Sequence, residues 1–229
     1  WLDIWGELNV DKNHRDAHDE MVGHTADATV SNAEVVKTLY VPLRFWFNRN
    51  PGLALPLIAL QYHEVKVKLK LRTGSHLVRL NSVKSGPTIT TTLSNASLWV
   101  DYVYLDTDER RRFAQVSHEY LIEQLQLQKE TLAGGPKNIT LNFNHPVKEL
   151  IWVSSNGQNV PTASALTTTW QLKLNGHDRF SARPLQYFTK QQVYDYHTGY
   201  GGLGAAGKDT IAAYSFALKP EEHQPSGTC

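Results

Sequence analysis

Residues 65–72, Val-Lys-Val-Lys-Leu-Lys-Leu-Arg, alternate apolar and cationic side chains without a break. Successive side chains of a strand point to opposite faces. Val65, Val67, Leu69 and Leu71 therefore share one face, and Lys66, Lys68, Lys70 and Arg72 the other. A helix would scatter the same cations around its axis. The pattern predicts a sheet with one buried and one wetted side, as in a β-sandwich or barrel. Just upstream, "LRFWFNRNPGLALPLIALQ" (43–61) is apolar enough to be covered on both faces, and Asn50-Pro51-Gly52 supplies the residues of a type II turn.

Further short strands are expected along the chain. "TLYVPLRFWFN" (38–48) is rich in β-branched and aromatic residues, with Pro42 pushing it toward a sheet edge. Others are expected at 97–105, 119–129, 139–144, 147–154, 168–174 and 211–219. Ile139, Leu141 and Phe143 point inward in one of them, and Trp170, Leu172 and Leu174 in another. Trp1, Ile4, Trp5 and Leu8 recur at helical spacing and predict a short amphipathic helix. Residues 9–34 are polar without a sustained period and read as a long loop. Asp106 and Glu109 form a capping box for a helix over 106–115, and 185–196 is ambiguous between helix and strand. Ser, Thr, Asn and Gly crowd residues 73–97 around Gly86-Pro87, which predicts a domain junction and units of 1–85 and 86–229. Many short strands with few helices point to jelly rolls or similar sandwiches.

Bulk properties narrow the function. With 23 basic and 22 acidic side chains among 229 residues, the net charge of +1 offers no electrostatic case for nucleic acid or a membrane surface. No apolar run reaches the roughly 18–20 residues of a membrane-crossing helix. Cys229 is the sole cysteine, so a disulfide within these residues is impossible and a reducing compartment fits. "WLDIWGEL" opens as an element already under way and "HQPSGTC" follows a strand-like run, which suggests a piece of a longer protein.

Each candidate for chemistry has a plainer reading. His14 and His18 have the i, i+4 spacing of metal ligands, with Asp16 and Asp19 nearby, but no third ligand is evident and solvated histidines explain them better. "HEVKV" (63–67) starts like a zinc-protease motif yet has Val67 where the second His belongs. "GYGGLGAAGKDT" (199–210) matches G-x-G-x-x-G and the first seven places of a phosphate-binding loop. Asp209 then stands where a Ser or Thr must reach magnesium, and a carboxylate there repels phosphate. "DERRRF" (108–113) reads as a solvated helix face. No G-x-S-x-G elbow is present. Asn95 and Asn138 head glycosylation sequons that fit chance occurrence better than modification. No catalytic residue, cofactor site or metal site emerges.

"LYVPLRFWFNRNPGLALPLIALQYHEVKV" (39–67) resembles a hallmark segment of the major capsid proteins of nucleocytoplasmic large DNA viruses, the iridovirus and algal-virus group. The resemblance continues in the family's order through "SLWVDYVYLDTDERRRFAQVSHEYLIEQLQ" (97–126), "LNFNHPVKELIWV" (141–153), "RFSARPLQYFTK" (179–190) and "YSFALKPEEHQPSGTC" (214–229). It implies an all-β double jelly roll, incomplete at both ends, with the change of jelly roll inside the junction at 73–97. It implies a structural, non-enzymatic virion protein that forms a homotrimer. Such pseudo-hexagonal capsomers tile an icosahedral shell over an internal membrane, and the protein is assembled in the host cytoplasm. Its implied partners are its own copies, neighbouring capsomers and minor capsid proteins, with neither nucleic-acid contact nor membrane insertion. The residues expected to matter are structural: Trp46, Pro51, Gly52, Trp99, Phe143, Pro146 and Trp152 as core and turn determinants. An open sheet edge or exposed apolar face is expected between 97 and 229, with poor solubility of the piece alone.

Two other classes compete. A carbohydrate-binding or carbohydrate-active sandwich would use exposed aromatics, for which Tyr194, Tyr196 and Tyr200 are candidates. A metal-dependent enzyme would need convergence of strand-proximal histidines such as His63, His118 and His145.

Overall fold

The computed structural model describes residues 1–23, 38–71, 95–131, 137–153, 169–201 and 211–229. They fall into two compact units, Trp1–Trp46 with Ile122–Cys229, and Phe47–Leu121.

The first unit is organised around an antiparallel pair, β1 (Glu149–Val153) and β6 (Ile211–Ser215). All five residues of β6 are buried, so this strand is covered on both faces. The two-residue period sorts its side chains. Ala212 and Tyr214 join Leu185 and Phe188 in one cluster, with Trp152, Trp170, Leu172, Phe180, Tyr187 and Phe216 packed against it. Ile211 and Ala213 join Leu8 and Val193 in a second cluster, flanked by Ile4, Ile151 and Val153. Trp152 lies opposite Ala212 and Ile151 opposite Ala213, so these two large β1 side chains each meet a small one on β6. The first cluster is aromatic: Phe188 lies 5.1 Å from Trp152 and 5.7 Å from Phe180, and Phe180 lies 5.1 Å from Tyr214. Offset and edge contacts of this kind add to the burial of large apolar area.

Two smaller ladders flank this pair, β2 (Thr169–Trp170) with β5 (Arg183–Pro184) and β3 (Lys173–Leu174) with β4 (His177–Asp178). Asn175 and Gly176, both at positive φ, close the β3–β4 hairpin. An Asn-Gly pair is the strongest local signal for such a two-residue turn, because both positions must enter the left-handed region. The strand expected at 168–174 is thus two short strands, the second already turning. The ambiguous stretch 185–196 is helical, a π-helical turn (Tyr187–Gln191) running into α4 (Gln192–Tyr196). Buried Gln192 ties it to the sheet, donating to the Tyr187 hydroxyl at 2.9 Å and accepting from the Ser215 N–H at 3.1 Å.

The expected first helix is present as α1 (Leu2–Asn9). The loop expected at 9–34 is corrected over its first half, where α2 (Lys12–Val22) forms with no buried residue. Polar contacts hold it in place of an apolar face. Asp11 caps its N-terminus through the Asn13 N–H, and left-handed Gly23 closes it. Arg15 reaches Asp19 at 2.9 Å within α2, and its guanidinium forks onto the Glu7 carboxylate of α1, one arm at 2.7 Å. Burial alone would lower the Arg15 pKa, but its hydrogen bonds to Glu7 and Asp19 outweigh that and hold it above its ordinary value.

The second unit departs further from expectation. α3 (Thr107–Gln115) forms as expected, with the Asp106 carboxylate accepting from the Glu109 N–H at 2.8 Å. The type II turn at 50–52 is instead a 3-10 turn, Pro51–Leu53, because Gly52 does not take the positive φ that type II requires. The expected strands at 97–105 and within 65–71 belong to no ladder among the described residues. Val65, Val67, Leu69 and Leu71, expected on a buried face, are all exposed, with no opposing sheet among the described residues. The strands expected at 38–48, 119–129 and 139–144, most of whose residues lie in the first unit, likewise form no ladder among the described residues. There the glutamines substitute for one. Gln126 pairs with the backbone of Asn144, and Gln128 with the backbones of Thr140 and Asn142, each side chain both donating and accepting.

Candidate assembly surface and buried ion cluster

Exposed apolar side chains occur in both units, and one close run of them lies in the second. Leu98, Trp99, Val100, Tyr102, Val103 and Tyr104 are all exposed, Trp99 by 87% and Tyr104 by 90%. A run of large exposed apolar groups of this kind is the usual mark of an interaction surface.

The first unit holds its charge inside. His197 follows α4, and its N–H still donates to the Val193 carbonyl. Its side chain is 1% exposed, with Nε2 at 3.1 Å from Glu149 Oε2 of β1 and Nδ1 at 3.4 Å from Glu221 Oε1 beyond β6. The Asn9 side chain of α1 lies 3.4 Å from the same Nδ1. Nε2 and Glu149 Oε2 lie within ion-pair reach of each other. Burial by itself would expel the proton; the two carboxylates outweigh it and hold the imidazole pKa up at about 9.

The next residues strap α1 to this cluster. Thr198 donates its N–H to Glu221 at 2.8 Å and its hydroxyl to the Asn9 carbonyl at 3.0 Å. The Gly199 N–H donates to the Leu8 carbonyl at 2.6 Å and the Gly201 N–H to the Glu7 carbonyl at 2.9 Å. A Cβ on Gly199 would lie within 2.6 Å of the Leu8 carbonyl carbon, so glycine is required there by close approach. The first glycines of the G-x-G-x-x-G pattern thus spend their N–H groups on α1. Residues 202–210, which carry the rest of that pattern, lie outside the described set.

Comparison with known proteins decides the family. Residues 1–106 match a family model described as major capsid protein N-terminus, and residues 109–229 match one described as large eukaryotic DNA virus major capsid protein. The chain belongs to this major capsid protein family. All of it aligns with the major capsid protein of Pyramimonas orientalis virus at 49% identity, covering 61% of that relative. All of it also aligns with that of Paramecium bursaria Chlorella virus 1 at 40% identity, covering 62%. The chain therefore spans about three fifths of the length of these relatives. A solved quasi-atomic model of the PBCV-1 virus capsid matches the whole chain at 36% identity with a TM-score of 0.69, covering 62% of that structure's chain. The family is one of structural proteins, not enzymes.

The expected structural residues fall in contrasting places. Trp152 sits on β1, 5.6 Å from Trp170 and against Phe188. Trp46 begins a half-buried 3-10 turn (Trp46–Asn48), and Phe143 is half-buried, while Pro51, Gly52 and Pro146 are exposed. Trp99 is corrected from a core residue to a surface one, because its segment has no ladder or facing sheet among the described residues. Asn95 and Asn138 are both exposed, Asn95 in the left-handed region.

The residues considered for chemistry are dispersed. His14 faces solvent 3.7 Å from Asp11, and His18 lies 3.4 Å from Asp19. His118 stacks on Phe113 at 5.0 Å, whereas His63 and His145 are exposed. Among the described residues no three His, Cys, Asp or Glu side chains are grouped to hold a metal ion. Tyr194 and Tyr200 are exposed and Tyr196 is half-buried. Cys229 is free and exposed; its backbone exchanges hydrogen bonds with Val147 at 2.7 and 2.9 Å. Sequence reading missed His197, Glu149 and Glu221 altogether. They stand far apart along the chain, and no spacing rule joins them.

Proposed function

We propose that this chain is the larger part of a capsid-building subunit composed of two antiparallel jelly rolls, with the change between them at about residues 85 and 86. Three such subunits form a pseudo-hexagonal capsomer, and capsomers tile an icosahedral shell over an internal membrane. The observation that carries this reading is the family match along the entire chain. The bare ribbon 98–104 supports it, since lateral contacts in a shell need apolar surface that a free subunit leaves open. Obligate interfaces of this kind bury roughly 2,000–5,000 Å². The work of the protein is then mechanical. Packed clusters such as that around Phe188 hold shape, and exposed segments meet neighbouring copies and minor capsid proteins. Nucleic acid is not contacted, the membrane is not entered, and assembly takes place in the host cytoplasm. Asn95 and Asn138 are positions where an attached sugar would meet no buried neighbour.

Size measurement and electron microscopy of the full-length product test this. Trimers with a hexagonal outline are expected. A stable monomer at micromolar concentration that forms no larger particle would overturn it.

A further inference from the structure

The cluster around His197 joins three parts of the first unit that are remote in sequence: α1, β1 and the turn beyond β6. Its charge balance is unusual. From β1 it is faced by Glu149 and from the turn by Glu221, while α1 presents only the neutral amide of Asn9. Asp195, on α4 itself, faces solvent. The nearby cations are committed elsewhere. Lys148 binds Glu123 at 2.5 Å and the Glu222 carbonyl, Lys219 binds Glu222 at 3.1 Å, and Arg15 binds Glu7 and Asp19. Among the described residues, only the imidazolium compensates the two carboxylates.

We propose that His197 is a proton-operated latch: protonated, it pins α1 and the 197–201 strap to the β1–β6 sheet, and on losing its proton it lets them go. A neutral imidazole carries one N–H and one lone pair. Whichever nitrogen loses the proton then turns a lone pair toward an acceptor, Glu149 on one side or Glu221 and Asn9 on the other. Two poorly solvated carboxylates are left without a counter-charge, and removing one partner of a buried ion cluster is strongly destabilising. The least costly relief is to admit water, and α1 is the element in the way. The strap that the cluster anchors is one of the ties on α1, beside the Leu8 and Ile4 contacts, the Arg15–Glu7 pair and Arg44 over Trp5.

The sign follows from the raised pKa. A histidine held at about 9 in the folded protein, against an ordinary value near 6.5, binds its proton more tightly when folded. Its contribution is complete below about pH 6.5 and disappears as pH rises through 9. The latch is closed in neutral and acidic solution and opens in alkali, so it responds in the opposite sense to a histidine buried in its neutral form.

Hydrogen exchange followed by mass spectrometry on the full-length protein tests this between pH 6 and 10, with rates corrected for the intrinsic pH dependence of exchange. Protection of residues 2–10 and 197–201 should fall by on the order of 10²-fold, beginning near pH 6.5 and nearly complete by about pH 9, while β1 and β6 amides remain protected. His197→Gln should lack that protection already at pH 7 and show no step. The double variant Glu149→Gln, Glu221→Gln removes the charges that need compensating, and it should stay closed up to pH 10. Should His197→Gln fail to fold, the wild-type profile and the double variant still decide. An α1 that stays protected through pH 10 in the wild type would overturn the proposal, as would an unchanged step in the double variant.

Discussion

The segments 98–104 and 211–215 are both short and largely apolar, yet one is exposed and the other is buried throughout. The difference lies outside the segments. β6 has a ladder partner in β1, an aromatic cluster on one side and α1 with α4 on the other. The ribbon 98–104 has no ladder partner among the described residues, so Trp99, Tyr102 and Tyr104 keep their area in water. Apolar composition therefore says that a surface will be covered, but not by what. In a single-subunit enzyme the cover is normally the rest of the chain. In a shell protein it can equally be a neighbour.

The comparison can be broken most directly by mutation. Phe188→Ala should destabilise the first unit by about 3–5 kcal/mol in denaturant unfolding, since it removes a ring at the centre of the aromatic cluster. Arg15→Met should cost roughly 3 kcal/mol by stranding Glu7, whose side chain is only 4% exposed, and should be read as loss of α2 helicity together with unfolding. Gly176→Val should cost about 1–2 kcal/mol, because a β-branched residue is forced into the left-handed region at the β3–β4 turn. Trp99→Ser should change unfolding of the chain by no more than about 0.5 kcal/mol, yet lower the yield of assembled trimers from the full-length protein. A Trp99 effect as large as that of Phe188 would erase the distinction between the two segments.

How much of this was legible in the sequence depended on how local the determining physics is. Caps and periods act within a few residues, so α1 and α3 could be read directly, including the Asp106 cap. The Asn175-Gly176 turn was equally legible and went unused. α2 was hidden because its support is an ion pair to Glu7 across a bend in the chain, and not a stripe of its own. The alternation at 65–71 predicts a strand with one buried face, but alternation cannot supply the partner strand and facing sheet, and none is found among the described residues. Least legible was the histidine cluster. Its members are brought together only after β1 and β6 have paired, α4 has ended beside them, and the turn beyond β6 has folded back.

The pairing of large with small residues across β1 and β6 reaches beyond this one molecule. Ala212 and Ala213 are fully buried opposite Trp152 and Ile151, so a larger side chain at either alanine would press on its partner. A gain of bulk at one site is tolerable only with a matching loss at the other. Over the divergence of viruses carrying this shell, these positions should drift as couples rather than singly.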